Sequence, residues 1–148
     1  KEAQCRAEID TILGYCFLQD AVEAYLDAIK IYPNPNAYYN LANLYKDFEK
    51  YEDAIQYYKC SIELEADNEA YCNMGVCYYN LEDDIHALEC FQKAVRLNPN
   101  DSISYRNMGN ALYNLKEYEE AQKYYRWAFL WLILELNNSL SGNLKYGI

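Results

Sequence analysis

The chain has 148 residues, enough for one domain with its own core, and a hydrophobic content of 52% excludes a disordered protein. Its formal net charge of -10 and sequence pI of about 4.5 exclude nucleic acid and anionic membranes as favoured partners, leaving neutral or basic peptides and proteins. The apolar run from Trp127 to Leu134 is far shorter than the roughly 20 residues that cross a bilayer, so we predict no membrane segment.

Cysteine and histidine usage argues against a metal site. The cysteines are Cys5, Cys16, Cys60, Cys72, Cys77 and Cys90. They form no Cys-x-x-Cys pair, and His86 is the only histidine, whereas a zinc site needs clustered ligands at short spacing. We therefore predict no metal, no cofactor, and reduced, mostly buried thiols in a reducing, cytoplasmic compartment.

The first segment, residues 2–34, holds the weakest copy of a pattern that recurs along the chain. Alanines mark its period of 33 or 34 residues, at Ala21, Ala54, Ala87 and Ala121. Around Ala21 only the second half of the pattern is present, because Glu8 and Ile9 stand where the first helix needs an apolar and a small residue. We predict a degenerate first helix pair that caps the amino-terminal end, or alternatively a leading helix packed at a non-standard angle.

The second segment predicts two helices joined by a short turn. The first helix is expected over residues 36–47 and the second over residues 51–65, with Phe48-Glu49-Lys50 as the turn. The corresponding turns of the next two units fall at residues 81–83 and 115–117. Asp101 supplies a side-chain acceptor that can cap the helix that follows it.

The three strong units share an aromatic residue, a small residue four positions later, and an alanine followed by an aromatic residue. The leading aromatics are Tyr38, Tyr71 and Tyr105, and the small residues are Ala42, Gly75 and Gly109. In these positions the units resemble the tetratricopeptide repeat, whose pattern of 34 residues describes a helix-turn-helix unit. The resemblance implies an all-α fold, a right-handed α-solenoid of about four tetratricopeptide repeats. The repeats are expected at residues 2–34, 35–67, 68–101 and 102–135, giving a repeat domain over 1–136 and a carboxy-terminal tail over 137–148.

The face opposite the core face of each first helix is rich in asparagine. Its nine positions are Asn40, Asn43, Asp47, Asn73, Val76, Asn80, Asn107, Asn110 and Asn114. The chain has 15 asparagines in 148 residues, so chance would place about one in these nine positions, and seven are observed. In tetratricopeptide proteins the first helices line a concave groove, so the resemblance implies an asparagine-lined groove that holds the backbone of an extended peptide.

Each of these asparagines also has a structural interpretation, in which it helps repeats to pack. That alternative is strongest for Asn40, Asn73 and Asn107, whereas Asn43 and Asn110 are predicted to be more exposed and to bind. Neighbouring groove residues are predicted from helical position, and they are Tyr39, Lys46, Tyr79, Arg106 and Tyr113.

The resemblance also allows a test for the carboxylate clamp with which some members grip acidic chaperone tails. Its matching positions are Tyr39, Asn43, Asn73, Ile103 and Asn107 or, one unit earlier, Arg6, Asp10, Asn40, Glu69 and Asn73. The first set has no lysine or arginine, and the second has only Arg6 and places the acids Asp10 and Glu69 where a carboxylate would sit. Charge-assisted pairing is what makes such a clamp strong. We therefore predict that the chain does not bind acidic tails in this way.

The last predicted helix is too apolar to keep one face in water. Part of the run should pack inside the fourth repeat, and the rest, if uncovered, marks an interface. The candidate interface residues are Trp127, Leu130, Trp131 and Leu134. Three covers are possible: the tail, a further repeat, or a second copy of the chain that forms a homodimer.

The function that the sequence favours is a non-catalytic protein–protein interaction module. There is no glycine-rich phosphate loop, no paired Cys and His, and no motif with two carboxylates, so we predict no catalytic residues and no enzyme activity. The alternative function is an assembly or oligomerisation module of a larger complex that uses the apolar carboxy-terminal end.

Overall fold

The structure is a computed structural model that describes residues 2–144; of the side chains it describes Gly14 and those of residues 16–139. Within these residues it contains seven helices and no strand. They are α1 (Glu2–Ile31), α2 (Pro35–Asp47), α3 (Tyr51–Leu64), α4 (Asn68–Asn80), α5 (Asp84–Leu97), α6 (Ser102–Asn114) and α7 (Tyr118–Leu144). The predicted all-α class is confirmed, and the helices predicted at 36–47 and 51–65 correspond to α2 and α3.

The chain divides into two compact units, of which the first covers Lys1–Glu65. Here α2 packs against α3, and α1 packs against α2. Small and large side chains alternate in the contact, and Ala42, Ala54 and Tyr58 are fully buried. The Ser61 hydroxyl donates to the Pro35 carbonyl oxygen at 2.9 Å, which fastens the end of α3 to the start of α2.

The predicted helix pair in residues 2–34 is wrong, because α1 is one continuous helix of 30 residues. The segment contains no proline before Pro33, and its only glycine is Gly14. A single glycine inside a helix costs about 1 kcal/mol relative to alanine, which does not by itself end a helix. Arg6 and Asp10, two residues of the second clamp set, have side chains outside the described part of the chain.

The second unit covers Ala66–Ile148. In it α4 pairs with α5, α6 pairs with α7, and α6 also packs against α5. One buried cluster joins three of these helices, and its members are Cys72, Ala87, Phe91, Ala94, Met108 and Ala111. Because α4 and α5 give one side of the cluster and α6 the other, burial of this apolar surface holds successive repeats together.

The turn between the two helices of a unit has the same geometry three times. Its central residue has a positive φ at Glu49, Glu82 and Lys116, with values of 59, 60 and 66°. The next amide N–H reaches back to a carbonyl five residues earlier, as Asp83 does to Tyr78 at 2.9 Å. This arrangement is the Schellman ending of a helix, in which the residue with positive φ is usually glycine.

Side-chain caps begin the first helices. Asn34 accepts from the Ala37 amide and Asp67 from the Ala70 amide, each at 2.9 Å. Asp101 accepts from the amides of Ile103 and Ser104, which confirms its predicted capping role. These bonds satisfy amide groups that have no partner within the helix.

The small-residue positions of the repeats lie under aromatic rings. A Cβ atom built on Gly75 would approach the Phe91 ring to 2.6 Å, and one on Gly109 would approach the Tyr125 ring equally closely. A real Cβ does not fit at that distance without a shift of the ring. Glycine at these positions therefore lets the two helices of a repeat pack closely.

The last helix departs from the sequence prediction. A stop was expected near Asn137-Asn138-Ser139, whereas α7 continues to Leu144. Asparagine and serine each cost only roughly 0.5 kcal/mol in a helix, and no proline follows Pro99, so nothing local ends the helix there. The prediction of a loose tail is thus wrong for residues 137–144, and residues 145–148 lie outside the described part.

Candidate functional site

The asparagine-bearing faces lie on α2 in the first unit and on α4 and α6 in the second. Their exposure differs from the prediction. Asn40 is exposed, whereas Asn43 and Asn110, which were expected to be more exposed, are half-buried. The physical reason is that each of these two side chains points towards the second helix of its own repeat.

Two of the asparagines accept a hydrogen bond from a tyrosine fifteen residues later. The Tyr58 hydroxyl donates to Asn43 Oδ1, and the Tyr125 hydroxyl donates to Asn110 Oδ1 at 2.9 Å. Burial raises the pKa of the Tyr125 hydroxyl above its ordinary value of 10.0. Each bond ties the asparagine of a first helix to the second helix of the same repeat.

In the third repeat both residues of this asparagine–tyrosine pair are replaced by apolar residues. Val76 stands where the other repeats have asparagine, and Phe91, fifteen residues later, stands where they have tyrosine. Phe91 belongs to the buried cluster and Val76 packs against it. A lone asparagine or a lone hydroxyl would be left without its partner here, so the two residues change together. This spacing of fifteen residues is visible in the sequence and is the signal that the helical-wheel argument missed.

Three further asparagines are held by hydrogen bonds within the second unit. Asn107 Nδ2 lies 3.7 Å from Cys72 Sγ, across the contact between α6 and α4. Asn114 Nδ2 donates to Asp84 Oδ1 at 3.1 Å, and Asn80 Nδ2 donates to the Val76 carbonyl of its own helix at 2.8 Å. Asn73 is half-buried and engaged by neighbouring groups. The contact between Asn107 and Cys72 therefore supports the interpretation of Asn107 as a packing residue.

The predicted neighbours of these asparagines fall into different environments. Tyr39 packs edge-on against the Tyr58 ring at 5.9 Å, and Tyr79 packs against the buried cluster. Tyr113 is 58% exposed and meets the Tyr118 ring edge-on at 5.2 Å, so it presents one face to solvent. Lys46 is half-buried and has partners. Arg106 is exposed and lines a cleft between α6 and α7.

The candidate interface residues at the carboxy-terminal end differ in how far they are exposed. Trp127 is half-exposed, with its ring against Tyr105 at 6.4 Å, and Leu130 and Leu134 are exposed. Trp131 is half-buried, and its Nε1 is buried without a hydrogen-bond partner among the described residues. The exposed apolar surface of α7 therefore includes Trp127, Leu130 and Leu134.

The described residues offer neither a metal site nor a membrane-spanning helix. They contain no group of His, Cys, Asp and Glu side chains that could hold a metal ion. None of their helices is long and apolar enough to cross a membrane. Of the free cysteines among them, Cys72, Cys77 and Cys90 are buried, Cys60 is half-buried and Cys16 is exposed.

The geometry defines a class: an all-α helical-repeat protein, with paired helices of 13 and 14 residues and a small residue under an aromatic ring. A tetratricopeptide repeat model matches residues 35–68 and 69–101, and a second matches residues 90–123. The chain belongs to the tetratricopeptide repeat family, as the motifs around Tyr38, Tyr71 and Tyr105 predict. No curated protein matches the sequence at a significant level.

Several solved structures share the fold. A crystal structure of MamA superposes with a TM-score of 0.78 and is 22% identical in sequence. The match covers 86% of this chain and 76% of the MamA chain. The first tetratricopeptide domain of Spaghetti (RPAP3), bound to the HSP90 peptide SRMEEVD, is 24% identical and has a TM-score of 0.65. The match covers 66% of this chain and 79% of that domain's chain. The second such domain, bound to the same peptide, is 21% identical, with a TM-score of 0.64 and a match over 70% of this chain and 97% of that domain's chain. At these identities the likeness concerns the fold.

Proposed function

We propose that the chain is a non-catalytic protein–protein interaction module that holds an extended peptide or protein segment on the asparagine-bearing faces of its first helices. Membership of the tetratricopeptide family supports an interaction role, and two structural relatives carry a bound peptide. The observation that carries the finer proposal is the hydrogen bond from Tyr125 to Asn110. The absence of enzyme activity stays a prediction.

The Tyr125 hydroxyl determines which end of the Asn110 side chain is available. A carboxamide has an oxygen acceptor and an NH2 group with two donors. Because the oxygen already accepts from Tyr125, it has one lone pair left, whereas the NH2 group can offer both of its donors to a ligand. The matching ligand group is an acceptor, and an extended peptide offers one carbonyl per residue. Recognition would then depend on the backbone of the ligand, with Tyr113 contributing an exposed ring for its side chains.

The charge of the chain selects among such ligands. With a net charge of -10, the protein attracts basic segments and repels acidic ones. Among the five clamp positions that begin with Tyr39, none is a lysine or arginine. We therefore infer a preference for neutral or basic segments.

A peptide-selection experiment tests the proposal. Peptides enriched from a random library on the full chain are titrated by fluorescence anisotropy against three variants. Asn110→Ala and Tyr125→Phe are expected to weaken binding several-fold, because the first removes the donor and the second removes the bond that orients it. Tyr124→Phe is the matched control, since its ring faces Tyr105. Failure to enrich any peptide, or equal affinities for all three variants, would contradict the proposal.

The acidic peptide of the relatives provides a second test. The sequence SRMEEVD should bind this chain at least tenfold more weakly than the enriched peptides do, since no cation stands at the five clamp positions. The measurement is the same anisotropy titration, at low and at high salt. Equal affinity for SRMEEVD would disprove the inferred charge preference and leave the role of Asn110 to be judged by its own variants.

A second candidate function is self-assembly through the carboxy-terminal end. It is favoured by the exposed apolar line of Trp127, Leu130 and Leu134 on α7, which a second copy of the chain would cover. Sedimentation velocity over a range of concentrations should then show a dimer that Leu130→Glu converts to a monomer. A chain that remains monomeric at the highest concentration rules out this candidate.

A further inference from the structure

A cleft of about 280 Å³ lies between α6 and α7, within the second unit. Its lining is Ser102, Ile103, Arg106, Tyr125, Ala128, Phe129 and Leu132. Counting back one repeat of 34 residues, Arg106, Tyr125, Ala128 and Phe129 become Cys72, Phe91, Ala94 and Val95. Those four earlier residues form or adjoin the buried cluster onto which α6 packs. The cleft is thus the fourth repeat's copy of a surface that carries a helix in the third.

The change in burial between equivalent residues shows what the cleft lacks. Phe91 is 1% exposed under α6, whereas its counterpart Tyr125 is 37% exposed. Phe129, the counterpart of the half-buried Val95, is 64% exposed. In the third repeat the equivalent surface binds an α-helix, α6. In the fourth repeat no helix of the described residues covers the cleft.

Helix α7 lengthens this seat beyond the one that α6 occupies. It has 27 residues against 14 in α5, and the additional 13 residues extend it by about 20 Å. Tyr125, Phe129, Leu132 and Leu136 follow one another at spacings of four, three and four, and all four are exposed. That spacing is the stripe with which one helix packs along another.

Arg106 gives the seat a chemical preference. In the third repeat the equivalent position is Cys72, and the α6 residue that meets it is Asn107, at 3.7 Å. If a further helix packs in the cleft in the way that α6 packs on the third repeat, one of its residues occupies the position that Asn107 has in α6. That residue faces Arg106. None of the ion pairs among the described residues involves Arg106. A carboxylate on the incoming helix would give this cation a partner.

We propose that the α6–α7 cleft docks an amphipathic α-helix of a partner protein, with small apolar residues on its buried stripe and an Asp or Glu facing Arg106. The first helices of this chain carry Asn40, Asn73 and Asn107 at the facing position, so they lack the carboxylate. This argues for a different protein over a second copy of this chain. The site goes beyond the proposed peptide-binding role, because it takes a helix at the end of the repeats, beside the asparagine face of α6.

The probe is a synthetic peptide of residues 101–115, which contains α6, constrained to a helix on its solvent side. Three versions differ at position 107, with the natural Asn, with Asn107→Glu and with Asn107→Lys. In titrations against the full chain, the Glu version is expected to bind about tenfold more tightly than the Lys version. In the Arg106→Glu variant of the chain the order should reverse.

Two matched variants of the chain locate the binding surface. Phe129→Glu places a charge in the cleft, and Asn137→Glu places one on a neighbouring side of α7; both residues are exposed. Phe129→Glu should abolish peptide binding, and Asn137→Glu should leave it intact, with circular dichroism to verify that each variant is folded. The Arg106→Glu reversal provides an independent readout should Phe129→Glu lower helicity.

Three outcomes would overturn the proposal. One is that no version of the peptide binds. Another is that the Glu and Lys versions bind equally, or that Arg106→Glu does not reverse their order. The third is concentration-dependent self-association that Phe129→Glu abolishes, because the occupant of the cleft would then be a second copy of the chain.

Discussion

At the scale of single residues, the asparagines of the first helices differ in the groups that their side chains contact. The bonds from Tyr58 to Asn43 and from Tyr125 to Asn110 hold the carboxamide oxygen, so these residues both stabilise a repeat and orient an NH2 group. The sequence predicts which face carries asparagine, but it does not reveal these contacts. A helical wheel treats each helix alone, whereas the bond joins two helices.

The paired exchange in the third repeat leads to a double-mutant prediction. Val76→Asn should cost about 1–3 kcal/mol, because it introduces a polar group without its partner, and Phe91→Tyr should cost a similar amount. Together they recreate the pair of the other repeats, so the double variant should recover on the order of 1 kcal/mol of the summed cost. Urea denaturation of the four proteins measures this coupling. Strict additivity of the two single changes would show that the paired exchange has no energetic basis.

The two glycines under aromatic rings should tolerate alanine differently. The Phe91 ring above Gly75 is fully packed, so Gly75→Ala should destabilise the protein by about 1–3 kcal/mol despite the better helix propensity of alanine. The Tyr125 ring above Gly109 is partly exposed and can shift at a lower cost, so Gly109→Ala should destabilise the protein less than Gly75→Ala does. Thermal or urea unfolding compares the two. A larger loss at Gly109 would contradict the packing described for these repeats.

At the scale of elements, repetition explains which boundaries the sequence predicts well. The turns at residues 48–50, 81–83 and 115–117 occur three times with the same spacing, and the structure has them there. The ends of the chain are harder, because each occurs once. Residues 2–31 keep the later part of a repeat pattern yet form a single helix, and the asparagines near residue 137 do not end α7. In both places the signals were side-chain preferences worth less than the roughly 3 kcal/mol by which a proline interrupts a helix.

The three turns supply a prediction at this scale, because each places a charged residue at positive φ. A left-handed conformation costs about 1–2 kcal/mol for a residue with a Cβ, and a glycine at the same position avoids this cost. Part of the resulting stabilisation is lost again, because glycine has greater freedom in the unfolded chain. Glu82→Gly and Lys116→Gly should therefore each stabilise the protein by about 0.5–1 kcal/mol. Glu89→Gly is the control: it lies inside α5 and should destabilise by a similar amount. Destabilisation by both turn variants would be inconsistent with the turn geometry.

At the scale of the whole molecule, the composition and the repeat pattern together predict the class of protein, and the family match confirms it. The asparagine faces and the net charge of -10 are the basis of the proposed preference for a neutral or basic extended ligand. The exposed apolar residues of α7 are the basis of the second proposed contact region. Exposure there could be predicted only in part, since the sequence does not reveal that Trp131 is half-buried while Phe129 and Leu132 face the cleft.

The most direct test is nuclear magnetic resonance of the side-chain NH2 groups in the 15N-labelled chain, titrated with a peptide enriched from the random library. The signals of Asn110, assigned through their loss in Asn110→Ala, should shift on saturation as the NH2 group donates to the peptide backbone. Those of Asn100, exposed in the loop between α5 and α6, should stay in place. Unchanged Asn110 signals at full saturation would show that the peptide binds elsewhere and would contradict the proposed asparagine-based recognition.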